Sequence, residues 1–160
     1  MPDGPKPRLY IETSIVSYLT AFPSRDLVRA AHQQVTREWW AVRTQFELYA
    51  SQFVIDEASA GDQAAAARRL AALQEATLLN TTQGAVSLAT ELVRMGDLPA
   101  GATVDAFHIA IAAVHGMDYL LSWNCKHIVN ATMRGRIEST CRSHGVEPPT
   151  ICTPIELVTE

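Results

Sequence analysis

No stretch of this sequence approaches the ~20 consecutive apolar residues that a membrane-spanning helix needs. The opening MPDGPKPRLY also lacks the apolar core of a secretory signal, so a soluble, cytoplasmic protein is expected. Cysteine is scarce. Cys125, Cys141 and Cys152 are an odd number without CxxC spacing, which argues against a disulfide framework and makes reduced, buried thiols the expectation. Positive charge is not in excess either. The formal net charge of −4 disfavours tight nonspecific binding to nucleic acid through a broad cationic face. It suits carboxylates gathered around a divalent cation, and it suits plain solubility equally well. Several site signatures are missing: there is no GxGxxG after a strand, no P-loop and no HExxH. Cys125-x-His127 offers only two of the four ligands a structural zinc site requires.

What is present is enough chain for one domain: 160 residues, 48% hydrophobic and 19% charged. Residues 1–7, with Pro2, Pro5 and Pro7, read as a loose lead-in, and residues 8–160 as a single domain. Arg8-Leu-Tyr-Ile-Glu12 predicts a short strand, and Thr13 and Ser14 then suit the start of a helix. Ser24 is the expected N-cap of a long amphipathic helix whose apolar face runs through Leu27, Val28, Ala31, Val35, Trp39, Val42 and Phe46. Adjacent Trp39 and Trp40 cannot share a face, so one is expected inside and the other at a helix or subunit contact. Further strands are predicted at 47–51, 76–79, 119–122 and 150–152. Helices are predicted at 52–60, 63–73, 82–95, 103–115 (capped by Thr103) and 130–143. Alternation of strands and helices argues for a parallel sheet covered by helices on both faces.

In such a sheet, residues at the carboxyl ends of strands and the N-termini of the following helices converge on one crevice. Glu12 ends the first strand, Asp105 lies in a first helical turn, and Asn124 follows the fourth strand. Each has a plainer explanation. Asp105 complements a helix dipole, Asn124 suits a turn, Glu12 is a strand-end charge, and Glu57 is a solvated acid on a helix.

Taken together, they resemble PIN domains, the metal-dependent ribonucleases of the VapC-like toxin type. Leu9-Tyr-Ile-Glu-Thr-Ser14 is similar to that family's opening strand. Val54-Ile-Asp-Glu-Ala-Ser-Ala-Gly61 is similar to its second acidic motif, where the acid four residues before a glycine selects Glu57 over Asp56. Val104-Asp-Ala-Phe-His-Ile-Ala110 is similar to the third, and Asp118-Tyr-Leu-Leu-Ser-Trp-Asn124 to the fourth. The four motifs occur in order, and the resemblance covers residues 8 to about 155. Two positions depart from the pattern: Glu12 and Asn124 stand where the family usually has Asp.

The resemblance implies a three-layer α/β/α sandwich around a five-stranded parallel sheet. It also implies hydrolysis of RNA phosphodiester bonds with Mg²⁺ or Mn²⁺ held by Glu12, Glu57, Asp105 and Asn124. Hard cations prefer such oxygen ligands. Without a cation, crowded acids are expected to have raised pKa values. Thr13, Ser14 and His108 are weaker candidates for supporting the site, and Lys126, His127 and Arg134 for meeting the RNA backbone. A homodimer and a cognate antitoxin are the implied partners besides RNA. Two other readings stand beside this one: a degenerate PIN-like module that binds RNA or protein without efficient cleavage, and an unrelated α/β phosphohydrolase. The latter would want a nucleophilic Asp where Glu12 stands.

Overall fold

The computed structural model describes residues 4–158. Of the expected lead-in, residues 1–3 lie outside the described residues, as do 159 and 160 at the far end of the expected domain; residues 4–7 are irregular. Among the described residues the chain alternates β1 (Arg8–Ile11), α1 (Thr13–Thr20), α2 (Leu27–Ala41), β2 (Glu47–Ser51), α3 (Gln52–Ala58), α4 (Gln63–Leu73) and β3 (Thr77–Leu79). It continues with α5 (Gln83–Arg94), α6 (Thr103–Val114), β4 (Tyr119–Leu121), α7 (Ala131–Ser143) and β5 (Thr150–Cys152).

The strands form one sheet in the order β3-β2-β1-β4-β5, every pair parallel. The expected parallel α/β/α architecture is therefore present. Helices α1 to α4 pack among themselves, and α5 packs on α6 and α7. β1 is central and covered on both faces: Leu9, Tyr10 and Ile11 are fully buried, as a near-continuous apolar run in a parallel sheet should be. From β1 the chain order runs outward in both directions, to β2 and β3 on one side and to β4 and β5 on the other. The connections leaving β1 and β4 therefore part at their carboxyl ends and leave a crevice between them. Helix α6 is apolar nearly all round, with Ala106 and His108 through Ala113 buried, which makes it an interior helix. That is why a histidine on it lies in the core.

Several local expectations are corrected. The cap of α2 is Asp26, whose carboxylate accepts from Arg29 N–H at 2.9 Å, while Ser24 Oγ accepts from Asp26 N–H instead. The buried side of α2 is Gln33, Thr36 and Trp39, and Leu27 and Val28 are exposed. Gln33 can be buried because it satisfies loop backbone on both sides, accepting from Ser24 N–H at 2.9 Å and donating to the Phe22 carbonyl at 3.1 Å. The helix also stops at Ala41, so Val42 and Phe46 lie beyond it. Thr103 does not cap α6: it is already helical, and its hydroxyl donates to Ala100 C=O at 3.0 Å. Of the tryptophans, Trp39 is the inner one, and Trp40 is half-buried with the Arg43 guanidinium 4.3 Å from its ring centroid. Cys141 and Cys152 are buried thiols as expected, whereas Cys125 is exposed in the turn after β4.

Candidate active site at the carboxyl edge of the sheet

Glu12 follows β1 and closes the start of α1 itself. Its Oε1 accepts from Ser14 N–H at 3.2 Å, from Ser14 Oγ, and from Ser122 Oγ at 2.6 Å. This assigns the capping role to Glu12 rather than to Thr13 or Ser14. The carboxylate is 5% exposed yet well supplied with donors, the condition under which a buried charge is tolerable. The same two hydroxyls tie it to the loop after β4. Ser14 Oγ accepts from Trp123 N–H at 2.8 Å, and Ser122 Oγ accepts from Asn124 N–H at 2.9 Å.

Glu57, on the last turn of α3, faces the same crevice. Its Oε1 accepts from Thr13 Oγ1 at 2.6 Å and lies 2.7 Å from His108 Nε2. Asp56, by contrast, accepts from Gln52 Nε2 at 2.8 Å, one turn back on its own helix. Behind His108 runs a buried chain. His108 Nδ1 is 2.7 Å from Tyr10 Oη, which is 2.7 Å from Ser51 Oγ, and all three residues are fully buried. With Glu57 ionised and His108 neutral, one proton arrangement satisfies every link. Ser51 donates to Tyr10, Tyr10 donates to Nδ1, and Nε2–H donates to Glu57.

Burial acts to raise the Glu57 carboxyl, but hydrogen bonds from His108 and Thr13, with the electrostatic attraction of the His108 ring, outweigh it. The group lies below its ordinary value of 4.5. The expectation that crowding raises these acids is therefore corrected for Glu57: the site supplies its own donors. Burial raises the Tyr10 phenol further, which keeps it a hydroxyl donor.

Candidate ligand atoms of Glu12, Glu57 and His108 all lie within 4.8 Å of one another. Both nitrogens of His108 are engaged, so it acts as an orienting group for Glu57. The second oxygens of Glu12 and Glu57 take no hydrogen bond among the described residues and remain for a ligand. Two carboxylates at this separation repel by roughly 3 kcal/mol at an effective dielectric near 20. An oxygen-seeking dication fits the donor set and would remove that repulsion.

Asp105 belongs to an adjoining group. Its Oδ1 accepts from Asn124 Nδ2 at 3.2 Å, and its Oδ2 lies 2.9 Å from His127 Nδ1. Asn124 Oδ1 in turn accepts from His127 N–H at 3.1 Å. Asp105 and His108 share a face of α6 three residues apart, and Asn124 reaches Glu12 through Ser122, so the two groups border the same crevice. Asp105 is nonetheless outside the tight set of ligand atoms, and protein donors occupy both of its oxygens. Lys126 is exposed, and its backbone carbonyl accepts from Asn130 Nδ2 at 3.0 Å. Arg134 is half-buried on α7 and lines a separate hollow with Glu138, Arg142 and Glu156.

Sequence reasoning missed Tyr10, Ser51 and Ser122. One signal was available: Ser51 and Ser122 are the polar residues closing β2 and β4, where an open parallel sheet places its ligands. Comparison with models of known protein families and with curated proteins finds no match to this chain in either.

Proposed function

We propose that the chain is a metal-dependent endoribonuclease of the PIN type, with Glu12 and Glu57 as its principal metal ligands. The observation that carries this is the pair of carboxylates at the carboxyl edge of β1. Each is oriented through one oxygen by fixed donors, the other takes no hydrogen bond among the described residues, and the two groups offer ligand atoms within 4.8 Å of each other. A bound Mg²⁺ or Mn²⁺ would supply Lewis-acid charge to the phosphate and make a water acidic enough to attack phosphorus. The chain's own residues do the positioning. Ser14 and Ser122 hold Glu12, Thr13 and His108 hold Glu57, and Asp105 with Asn124 and His127 forms the neighbouring wall, where a phosphodiester can be hydrogen-bonded. No nucleophile–base pair on the protein is needed.

Purified protein should cleave single-stranded RNA with Mn²⁺, leaving 5′-phosphate and 3′-hydroxyl ends, and Glu57→Gln should slow it at least ~100-fold. Cleavage that persists in EDTA, or 2′,3′-cyclic phosphate ends, would refute the mechanism. One observation favours a second reading, a PIN-like module that binds without efficient cleavage: Asp105 has both oxygens taken by protein donors. For that module, Mn²⁺ should leave the melting temperature unchanged.

Resemblance of the motifs alone extends the proposal to the toxin half of a toxin–antitoxin pair, cytoplasmic and homodimeric. Trp40 is half-buried, with Arg43 stacked on its ring. Leu27 and Val28, exposed at the start of α2, offer apolar surface for a dimer.

A further inference from the structure

Beside the acidic crevice, α1, α2 and α4 enclose a cleft of about 220 Å³ lined by Ser17, Tyr18, Ala21, Arg29, Gln33 and Arg69. We propose that this cleft holds a segment of single-stranded RNA and leads it to the Glu12–Glu57 pair; the inference rests on the ribonuclease reading and deepens it.

Three features of the cleft, and of Phe22 and Arg68 beside it, point to this ligand. The first is charge. Among the described residues, Arg29, Arg68 and Arg69 have no carboxylate within ion-pair distance, although the chain as a whole is net acidic. Arg69 spends Nε on the Ala58 carbonyl at 3.0 Å and one terminal nitrogen on the Ala60 carbonyl at 2.6 Å, leaving its other terminal nitrogen for a phosphate. Arg68 spends only Nε, on the Thr20 carbonyl.

The second is the pairing of these guanidiniums with aromatic rings. Arg29 lies 5.8 Å from the Tyr18 centroid and Arg68 lies 4.6 Å from that of Phe22, whose side chain is 77% exposed. Arginine planes and aromatic faces side by side are what single-stranded bases stack upon, without regard to sequence.

The third is continuity with the acids. The carbonyl that anchors Arg69 belongs to Ala58, the residue after Glu57. Tyr18 packs at 5.9 Å against Trp123, the residue before Asn124. Ser17 and Tyr18 also stand one helical turn along α1 from Thr13 and Ser14, which bond Glu57 and Glu12. Both walls of the cleft are thus fastened to site residues. An apolar peptide or a second copy of the chain would use Leu27 and Val28 but would leave these guanidiniums without counter-charge.

The test is fluorescence anisotropy with a short labelled oligouridylate in EDTA, where no cleavage intervenes. Wild type should bind with a steep salt dependence. Arg29→Gln, an exposed substitution that leaves the fold intact, should flatten the plot of log affinity against log salt by about 0.7, the effect of one lost phosphate contact on a single strand. Tyr18→Ala should weaken binding about five- to 150-fold, as loss of one base stack does. Arg94→Gln, on α5 and paired with Glu91, should behave as wild type. No binding by wild type, or an unchanged slope in Arg29→Gln, overturns the proposal. So does displacement of the oligonucleotide's role by an acidic peptide or by dimerisation at the same residues. The two readings fail separately. Protein that binds RNA through the cleft but never cleaves refutes the nuclease alone, and cleavage with binding insensitive to these substitutions refutes the cleft alone.

Discussion

Replacing Tyr10 by Phe removes one oxygen atom from the interior, and the structure sets what that should cost. The hydroxyl bridges Ser51 Oγ and His108 Nδ1, each at 2.7 Å, and all three residues are fully buried. Neither Ser51 Oγ nor His108 Nδ1 has another partner among the described residues, so the substitution strands both. Each stranded buried polar group costs about 1–3 kcal/mol, and the pair about 2–4 kcal/mol once the gain from a more apolar ring is offset. Adding Ser51→Ala removes one of the stranded atoms, so the double variant should recover roughly 1 kcal/mol or more relative to Tyr10→Phe. Urea unfolding of the wild type and three variants measures this cycle. The functional consequence follows from the tautomer. Without a donor at Nδ1, His108 is no longer obliged to keep its proton on Nε2 facing Glu57, and ¹⁵N shifts of labelled histidine should report the change. Loss of that orientation should weaken Mn²⁺ binding by about 10–100-fold, as removal of groups that orient ligands does. A cost below ~0.5 kcal/mol, additive with Ser51→Ala and without change in the histidine spectrum, would refute the chain of bonds.

Metal-free protein should lose stability as pH falls below about 4.5, and Glu57→Gln should lose less. A carboxyl held below its ordinary 4.5 contributes stability that is present above that value and disappears as pH drops through the folded-state pKa; parallel stability curves between pH 7 and pH 3 would contradict this. Saturating Mn²⁺ at ~100 times its dissociation constant should add ~2.7 kcal/mol to wild-type stability and little to Glu12→Gln or Glu57→Gln, as read from thermal melts. Asn124→Asp turns an amide–carboxylate bond of 3.2 Å into a contact between two carboxylates, worth up to about 5 kcal/mol of repulsion at an effective dielectric near 20 before the side chains rotate apart. The metal-free variant should melt lower and gain more from Mn²⁺ than wild type, and equal melts with and without metal would remove Asn124 from the site. A thiol reagent should label native protein only at the exposed Cys125. Burial pushes the Cys141 thiol up to about 11 and that of Cys152 to about 12, so more than one label per native chain would contradict the packing.

Much of the fold was legible in the order of residues because the signals involved are local. Apolar runs bounded by turn residues marked all five strands, and β2 was read to its last residue at Ser51. Alternation of strands with helical periods implied parallel pairing, since parallel strands need a crossover between them. Motif resemblance singled out Glu57 over Asp56, and in the structure it is Glu57 that meets Thr13 and His108. Periodicity failed on α2, where burial followed hydrogen-bond satisfaction: Gln33 and Thr36 are inside because loop backbone and Trp123 Nε1 complete their bonding. Capping failed at Ser24 and Thr103, where a competing side chain or a preceding turn decided which residue begins the helix.

The composition of the site depended on contacts between residues far apart in the chain. Glu12 meets Ser122 across 110 positions and His108 meets Tyr10 across 98, separations at which local periodicity carries no information. By itself the sequence determined a parallel α/β sheet with acids at the ends of its strands, because strand and helix patterns are written in neighbouring residues. Only the tertiary structure decided that Glu12 and Glu57 form the close pair, that His108 orients Glu57 through both of its nitrogens, and that Asp105 is held by Asn124 and His127. Those outcomes follow from how β1, α3, α6 and the loop after β4 pack at one edge of the sheet.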